Sequence, residues 1–172
     1  MLSALSCSKE EVTGPPINDF QQLTQRDHVI QNLEASYREG DIGQVDRVMH
    51  DSFSFCFTQD STRCWSRADE LSITGDVMAA GGIDIQFSYA AGEQKWIANT
   101  IGPRSGAAIW EKLIEYTITY PGSASGLTIE TGRATFLIRQ VRFEDANRWR
   151  LTGIADHTGH WGALKAGFLP GD

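Results

Sequence analysis

Few groups in this chain combine the residue types and spacing that chemistry needs. Asp156-His157-Thr-Gly-His160 sets a carboxylate and two imidazoles close together, types suited to metal ligation or proton transfer. After a strand, histidines three apart converge only through a particular turn. They therefore read as residues around an exit loop, and no metal or other cofactor is expected. His28 and His50 stand singly beside helix ends, and Asp46 lies in a short helical run; all three read as solvent-facing. Glu115 and Arg139 occupy long alternating segments, where an ion pair between them would orient a ligand. Trp65, Tyr116, Asp156 and His157 would complete such a pocket as aromatic walls and polar partners. The competing reading pairs Glu115 with Arg139 on the wet outer face of a sheet, the usual fate of charge. Gly102-Pro-Arg-Ser-Gly-Ala107 does not join a strand to a helix, so it reads as a hairpin loop and not a phosphate cradle. No G-x-S-x-G nucleophile elbow occurs.

The elements that must position these groups are legible from periodicity. Val29, Ile30, Leu33 and Tyr37 give Arg26–Glu39 a helical stripe. Gly40 stops that helix, and Asp41 can cap a second, short one through Met49. Phe53-Ser-Phe-Cys-Phe-Thr58 alternates with period two and predicts a strand. Ser66 can cap a third helix running to about Met78, with Asp69 and Glu70 in its first turn. Thereafter the pattern is all strand: Ile83–Tyr89, a shorter partner Gln94–Ile101, then Ala108–Tyr120, Leu127–Phe143 and Trp149–His157. In Ala108–Tyr120, Trp110, Lys112, Ile114, Tyr116, Ile118 and Tyr120 share one face, opposite Glu111, Leu113, Glu115, Thr117 and Thr119. Helices first and an antiparallel-rich sheet afterwards define an α+β domain.

Composition narrows the partners. The 172 residues are 41% hydrophobic with 10% aromatics, which excludes a disordered chain and fits one domain. Fifteen basic against 22 acidic residues give a net charge of -7 and a pI near 5.0, so no nucleic-acid partner is expected. No apolar run approaches the roughly 20 residues of a membrane-spanning helix.

The amino terminus differs from the rest. Met1-Leu-Ser-Ala-Leu-Ser-Cys7 is small and apolar, and Ser8 to Pro16 is polar and ends in two prolines. Residues 1–22 read as a signal remnant or flexible tether, and residues 23–172 as one domain. The start resembles the cleavage region of bacterial lipoproteins, which implies lipidation of Cys7 and a cell-envelope location; membrane contact would then be through that anchor alone. An ordinary terminus with a chance cysteine, in a cytoplasmic protein, is the alternative. Cys56 and Cys64 are near enough in sequence to face each other across a turn, and an oxidising compartment would permit a bridge. Proximity does not establish Cβ geometry, so two free thiols are expected.

The stretch Leu33-Glu-Ala-Ser-Tyr-Arg-Glu-Gly-Asp-Ile-Gly-Gln-Val-Asp-Arg-Val-Met-His-Asp-Ser-Phe-Ser-Phe55, with Trp149-Arg-Leu-Thr-Gly-Ile-Ala-Asp156 and the closing Trp161-Gly162, resembles the nuclear transport factor 2-like superfamily, including its SnoaL-like members. The resemblance implies a cone: a curved mixed or antiparallel sheet wrapped around three N-terminal helices. Within this superfamily the chain is similar to uncharacterised bacterial envelope lipoproteins. Ketosteroid isomerases of the superfamily place an oxyanion tyrosine where this chain has Leu33, and a general base where it has Phe57. Neither side chain can donate to an oxyanion or take a proton. The resemblance therefore implies a non-enzymatic cone that binds a small apolar ligand or a protein partner, with homodimerisation a frequent use of the fold. The alternative is a pocket isomerase, dehydratase or hydrolase acting through Asp156, His157 or Glu115.

Overall fold

A computed structural model describes residues 20–57, 60–81, 83–88, 95–99, 109–121, 127–143 and 146–167. Cys7, the 102–107 loop and most of the 1–22 segment lie outside the described residues. The helices are α1 (Arg26–Glu39), α2 (Ile42–Val48), α3 (Arg67–Ala80) and α4 (His160–Ala166). The strands are β1 (Met49–Phe57), β2 (Asp60–Ser66), β3 (Asp84–Ser88), β4 (Ile97–Asn99), β5 (Ile109–Pro121), β6 (Leu127–Phe143) and β7 (Ala146–Asp156). They form one sheet in the order β2-β1-β7-β6-β5-β3, with β4 also on β5. Among the described residues β1 and β7 pair parallel and the other pairs are antiparallel. This is the expected α+β cone, three N-terminal helices included.

Local chemistry sets the helix ends as the sequence implies. The Asp41 carboxylate accepts from Gln44 N, and Ser66 with Asp69 forms a capping box at the start of α3. On α1, the buried stripe Val29, Ile30, Leu33 and Tyr37 packs into the same core as Ile114, Tyr116 and Ile118 of β5 and Ala134, Phe136 and Ile138 of β6. The even-numbered face of β5 is thus the inner face, and Glu115 is exposed on the outer one.

Three elements differ from expectation. Cys56 and Cys64 are not free thiols: they face each other in the β1–β2 ladder with Cα atoms 4.2 Å apart and form a disulfide. β2 itself was not expected, because Asp60-Ser-Thr-Arg-Cys-Trp-Ser66 has no apolar alternation; the ladder to β1 makes it a strand. Finally, the expected exit loop around His160 is the helix α4.

Candidate functional site

A bulge decides what faces the inside of the cone. β6 pairs Leu137 with Gly153 but Ile138 with Leu151, so Thr152 is an extra residue on β7, its hydroxyl donating to Leu137 O at 3.1 Å. Leu151 is buried before the bulge; Ile154 and Asp156 are buried after it. Strict alternation from Leu151 would have turned Asp156 outward. Instead its carboxylate sits fully buried at the C-terminal end of β7.

There Asp156 organises α4. Its Oδ1 accepts from Tyr116 Oη at 2.8 Å and from Thr158 N at 3.3 Å, and its Oδ2 accepts from Gly162 N at 2.9 Å. Tyr116 Oη in turn accepts from Trp161 N at 3.1 Å. Two of the orphan amides in the first turn of α4 are satisfied in this way by groups outside the helix, since Gly159 at its N-cap has no side chain to do so. Burial, with the Asp156 carboxylate alongside, raises the Tyr116 phenol well above its ordinary range. Tyr116 is a fixed hydroxyl donor at neutral pH, not a base.

Two close approaches hold α4 in place. A Cβ at Gly162 would lie 2.0 Å from the Phe57 ring, and one at Gly132 would lie 2.1 Å from Thr158 Oγ1 and 2.4 Å from Tyr116 Oη. Only glycine lets the helix and its Tyr116–Asp156–Thr158 anchor approach the sheet so closely. Trp161 is consequently fully buried, with its ring 5.6 Å from Phe55, 5.6 Å from Tyr116, 5.7 Å from Phe87 and 6.1 Å from both Tyr37 and Phe136. Aromatic residues from α1, β1, β3, β5 and β6 converge on this one indole. Its Nε1–H is buried without a hydrogen-bond partner.

One turn further along α4, Lys165 is also fully buried. Its Nζ bonds Glu70 Oε1 and lies 4.8 Å from the Trp161 ring and 5.0 Å from that of Phe55. Glu70 accepts in addition from Trp65 Nε1 at 2.5 Å and Thr74 Oγ1 at 3.4 Å, so the pair is enclosed and hydrogen-bonded. Burial works against the ammonium, but Glu70 and Tyr37 outweigh it and hold the Lys165 pKa above its usual value. Sequence reading missed this pair. A lysine four residues after a tryptophan looks like any helix surface, and only the Trp-Gly of Trp161-Gly162 hinted at close packing.

The six pocket candidates therefore part company. Tyr116, Asp156 and Trp65 do face inward, where the first two fasten α4 and Trp65 stacks on Phe55 at 4.7 Å while bonding Glu70. Glu115 and Arg139 do not pair: the register sets Glu115 opposite Arg133 and Arg139 opposite Ile109 on one side and Arg150 on the other. Both belong to the outer face, but the pair that the competing reading placed there does not form. His157 is exposed with Nε2 2.7 Å from Thr135 Oγ1, and His160 reaches away to Glu130 at 3.2 Å. Among the described residues no group of three His, Cys, Asp or Glu could hold a metal ion. Leu33 is packed in the core and Phe57 contacts Gly162, so neither isomerase position bears a functional group.

Neither a known family model nor a curated protein matches the sequence. Solved structures do. A protein from Thiobacillus denitrificans assigned as a calcium/calmodulin-dependent protein kinase type II association domain is 12% identical with a TM-score of 0.56, covering 80% of this chain and 97% of its own. A conserved protein from Planctomyces limnophilus is 15% identical with a TM-score of 0.52, covering 74% and 88%. An NTF2-like protein of unknown function in nutrient uptake from Rhodospirillum rubrum is 13% identical with a TM-score of 0.49, covering 75% and 93%. At such identities the likeness is one of fold alone: with the first two of these structures the chain shares an α+β cone.

Proposed function

We propose that the protein is a non-enzymatic cone domain that works by binding through its outside, as an interaction module at the bacterial envelope. One observation carries the reading: the interior, where members of this fold hold ligands, is filled by the chain's own α4. Trp161 occupies its aromatic centre, and the Tyr116 hydroxyl and Asp156 carboxylate, the groups an enzyme would use, are taken up by amides of α4. The Cys56–Cys64 disulfide supports an oxidising compartment, and with it the lipid anchor at Cys7. The partner proposed first is a second copy of the chain meeting the outer sheet face, for which sedimentation velocity is the direct measure.

The interior is tested by NMR titration with neutral apolar ligands, benzene and a steroid. Wild-type protein should show no saturable shifts at Trp161, Tyr116 or Phe136. Trp161→Ala should lose about 3–5 kcal/mol in chemical denaturation and gain a site for benzene, as apolar cavities do. Uptake of either ligand by the wild type at those residues would overturn the reading.

A further inference from the structure

Beyond the plugged interior, a second region gathers charge of one sign. The chain has eleven arginines. Six of them, Arg47, Arg67, Arg139, Arg142, Arg148 and Arg150, come from α2, α3, β6 and β7 to the end of the cone where β1 begins. Arg47, Arg67, Arg142 and Arg150 line a cleft of about 350 Å³ with His50 and Phe143. Arg47, Arg148 and Arg150 continue into an adjoining cleft of about 420 Å³. Among the described residues the acids lining that cleft are Asp46 and Asp51; Asp46 is engaged by Arg67, and Arg142 has a partner of its own. A protein of net charge -7 has thus concentrated cations in one place.

The arrangement costs stability in the free protein. Arg139 and Arg150 stand directly opposite each other in the antiparallel β6–β7 ladder, a like-charge pair that destabilises a sheet. The Nε atoms of Arg139 and of Arg67 are buried without hydrogen-bond partners. The neighbouring groups register the field. Burial first, then Arg139, Arg150 and Arg67, lower the His50 pKa, against the pull of Asp51. Burial, then Arg47, lowers that of Arg150. Packing alone gives no reason to hold Arg139 opposite Arg150 with Arg67 nearby, whereas an anion would satisfy these guanidiniums at once.

We propose that this arginine-lined cleft binds the phosphoryl group of a small soluble molecule. Guanidinium forks match phosphate oxygens bidentately. The cleft is larger than one carboxylate needs, and its wall includes Phe143, 46% exposed with the Arg150 guanidinium 4.9 Å from its ring. The uncharged part of the ligand would lie against that ring. The patch is confined to two adjoining clefts of an acidic protein, unlike the long basic face that a nucleic-acid backbone requires.

The test is a ¹⁵N NMR titration of the whole protein with inorganic pyrophosphate, at constant ionic strength set with sodium chloride. Saturable shifts confined to residues 46–51, 67, 139–143 and 148–150 are expected. Arg150→Gln should weaken binding at least about tenfold while raising the Tm of the free protein by about 1–3 °C at low salt. Arg47→Ala, on the exposed edge of α2, should weaken binding with the fold untouched, and Arg63→Ala on β2 should change neither. Absence of saturable shifts, shifts spread over the whole surface, or full affinity in Arg150→Gln and Arg47→Ala would overturn the proposal. So would binding to phosphatidylglycerol vesicles with no response to soluble pyrophosphate, which would assign the cleft to a lipid headgroup.

Discussion

The two ends of β1 hold charge in opposite ways. At its C-terminal end, Lys165 and Glu70 are buried, but each charge meets its opposite and Glu70 accepts further hydrogen bonds from Trp65 and Thr74. At its N-terminal end, beside Met49 and His50, guanidiniums of one sign crowd together and two buried Nε atoms lack partners. Burial is the stricter environment, yet the fully buried pair is the satisfied one. Paired, enclosed charge that fastens a helix accounts for itself as structure. Half-exposed, repelling charge does not, and asks for a partner outside the chain.

Breaking the interior pair gives the largest effect. Lys165→Met should cost about 3–5 kcal/mol, because Glu70 is left as an uncompensated buried carboxylate. Glu70→Gln with Lys165→Met should recover most of that loss, as two uncharged groups of similar volume need no mutual neutralisation. A double-mutant cycle by urea denaturation measures the difference. The pH dependence has a defined sign. A folded-state pKa raised above the unfolded value leaves the contribution of Lys165 intact below about 10.4. It is lost only as pH rises through the higher folded value, so wild-type protein should weaken in alkali at this locus. Equal costs for the single and double variants would mean that the pair is not what holds α4.

The disulfide separates the two ends more finely. Cys56 and Cys64 clamp the interior half of β1 to β2. Replacing both by alanine should lower stability by roughly 2–3 kcal/mol on the chain-entropy estimate for a loop this short. Pyrophosphate affinity should hold within about twofold, since Cys56 lies toward the opposite end of β1 from Met49 and His50, beside which the arginines of the cleft gather. Matching losses in stability and affinity would show the two ends to be one cooperative site.

How much of this was legible in the sequence depends on the range of the interaction. Caps at Asp41 and Ser66, the stripe of α1 and the alternation of β5 are local, and each could be read from neighbouring residues. The inward turn of Asp156 could not, because it depends on Thr152 being extra in the register with β6. Nor could α4: seven residues with a glycine inside form a helix here only because Asp156 and Tyr116 satisfy its first amides. Glu115 and Arg139 looked like partners by residue type, and the register placed other residues opposite them. The arginine cleft was the least visible, being assembled from four elements between residues 47 and 150. Only Arg148-Trp-Arg150 showed a local hint, two cations on one strand face.

The smallest effect is the one most specific to the arginine end. His50 Nδ1 accepts the Ser52 N–H at 3.0 Å, which it can do only unprotonated. Protonation must break that bond and add a cation near Arg139, Arg150 and Arg67, with Asp51 opposing them. The His50 pKa should therefore lie below the ordinary value near 6.5 in an NMR titration. Sign follows from linkage: between the folded and unfolded pKa values the unfolded chain binds the extra proton. The stability contribution of neutral His50 is thus present above 6.5 and lost as pH falls through the lower folded value. Arg150→Gln should raise the pKa, and Asp51→Asn should lower it further. Pyrophosphate should raise it more than Arg150→Gln does, because a bound dianion cancels the field of several guanidiniums where the substitution removes one. A pKa indifferent to all three changes would mean that solvent already screens the cluster, and a cluster so screened would need no ligand to explain it.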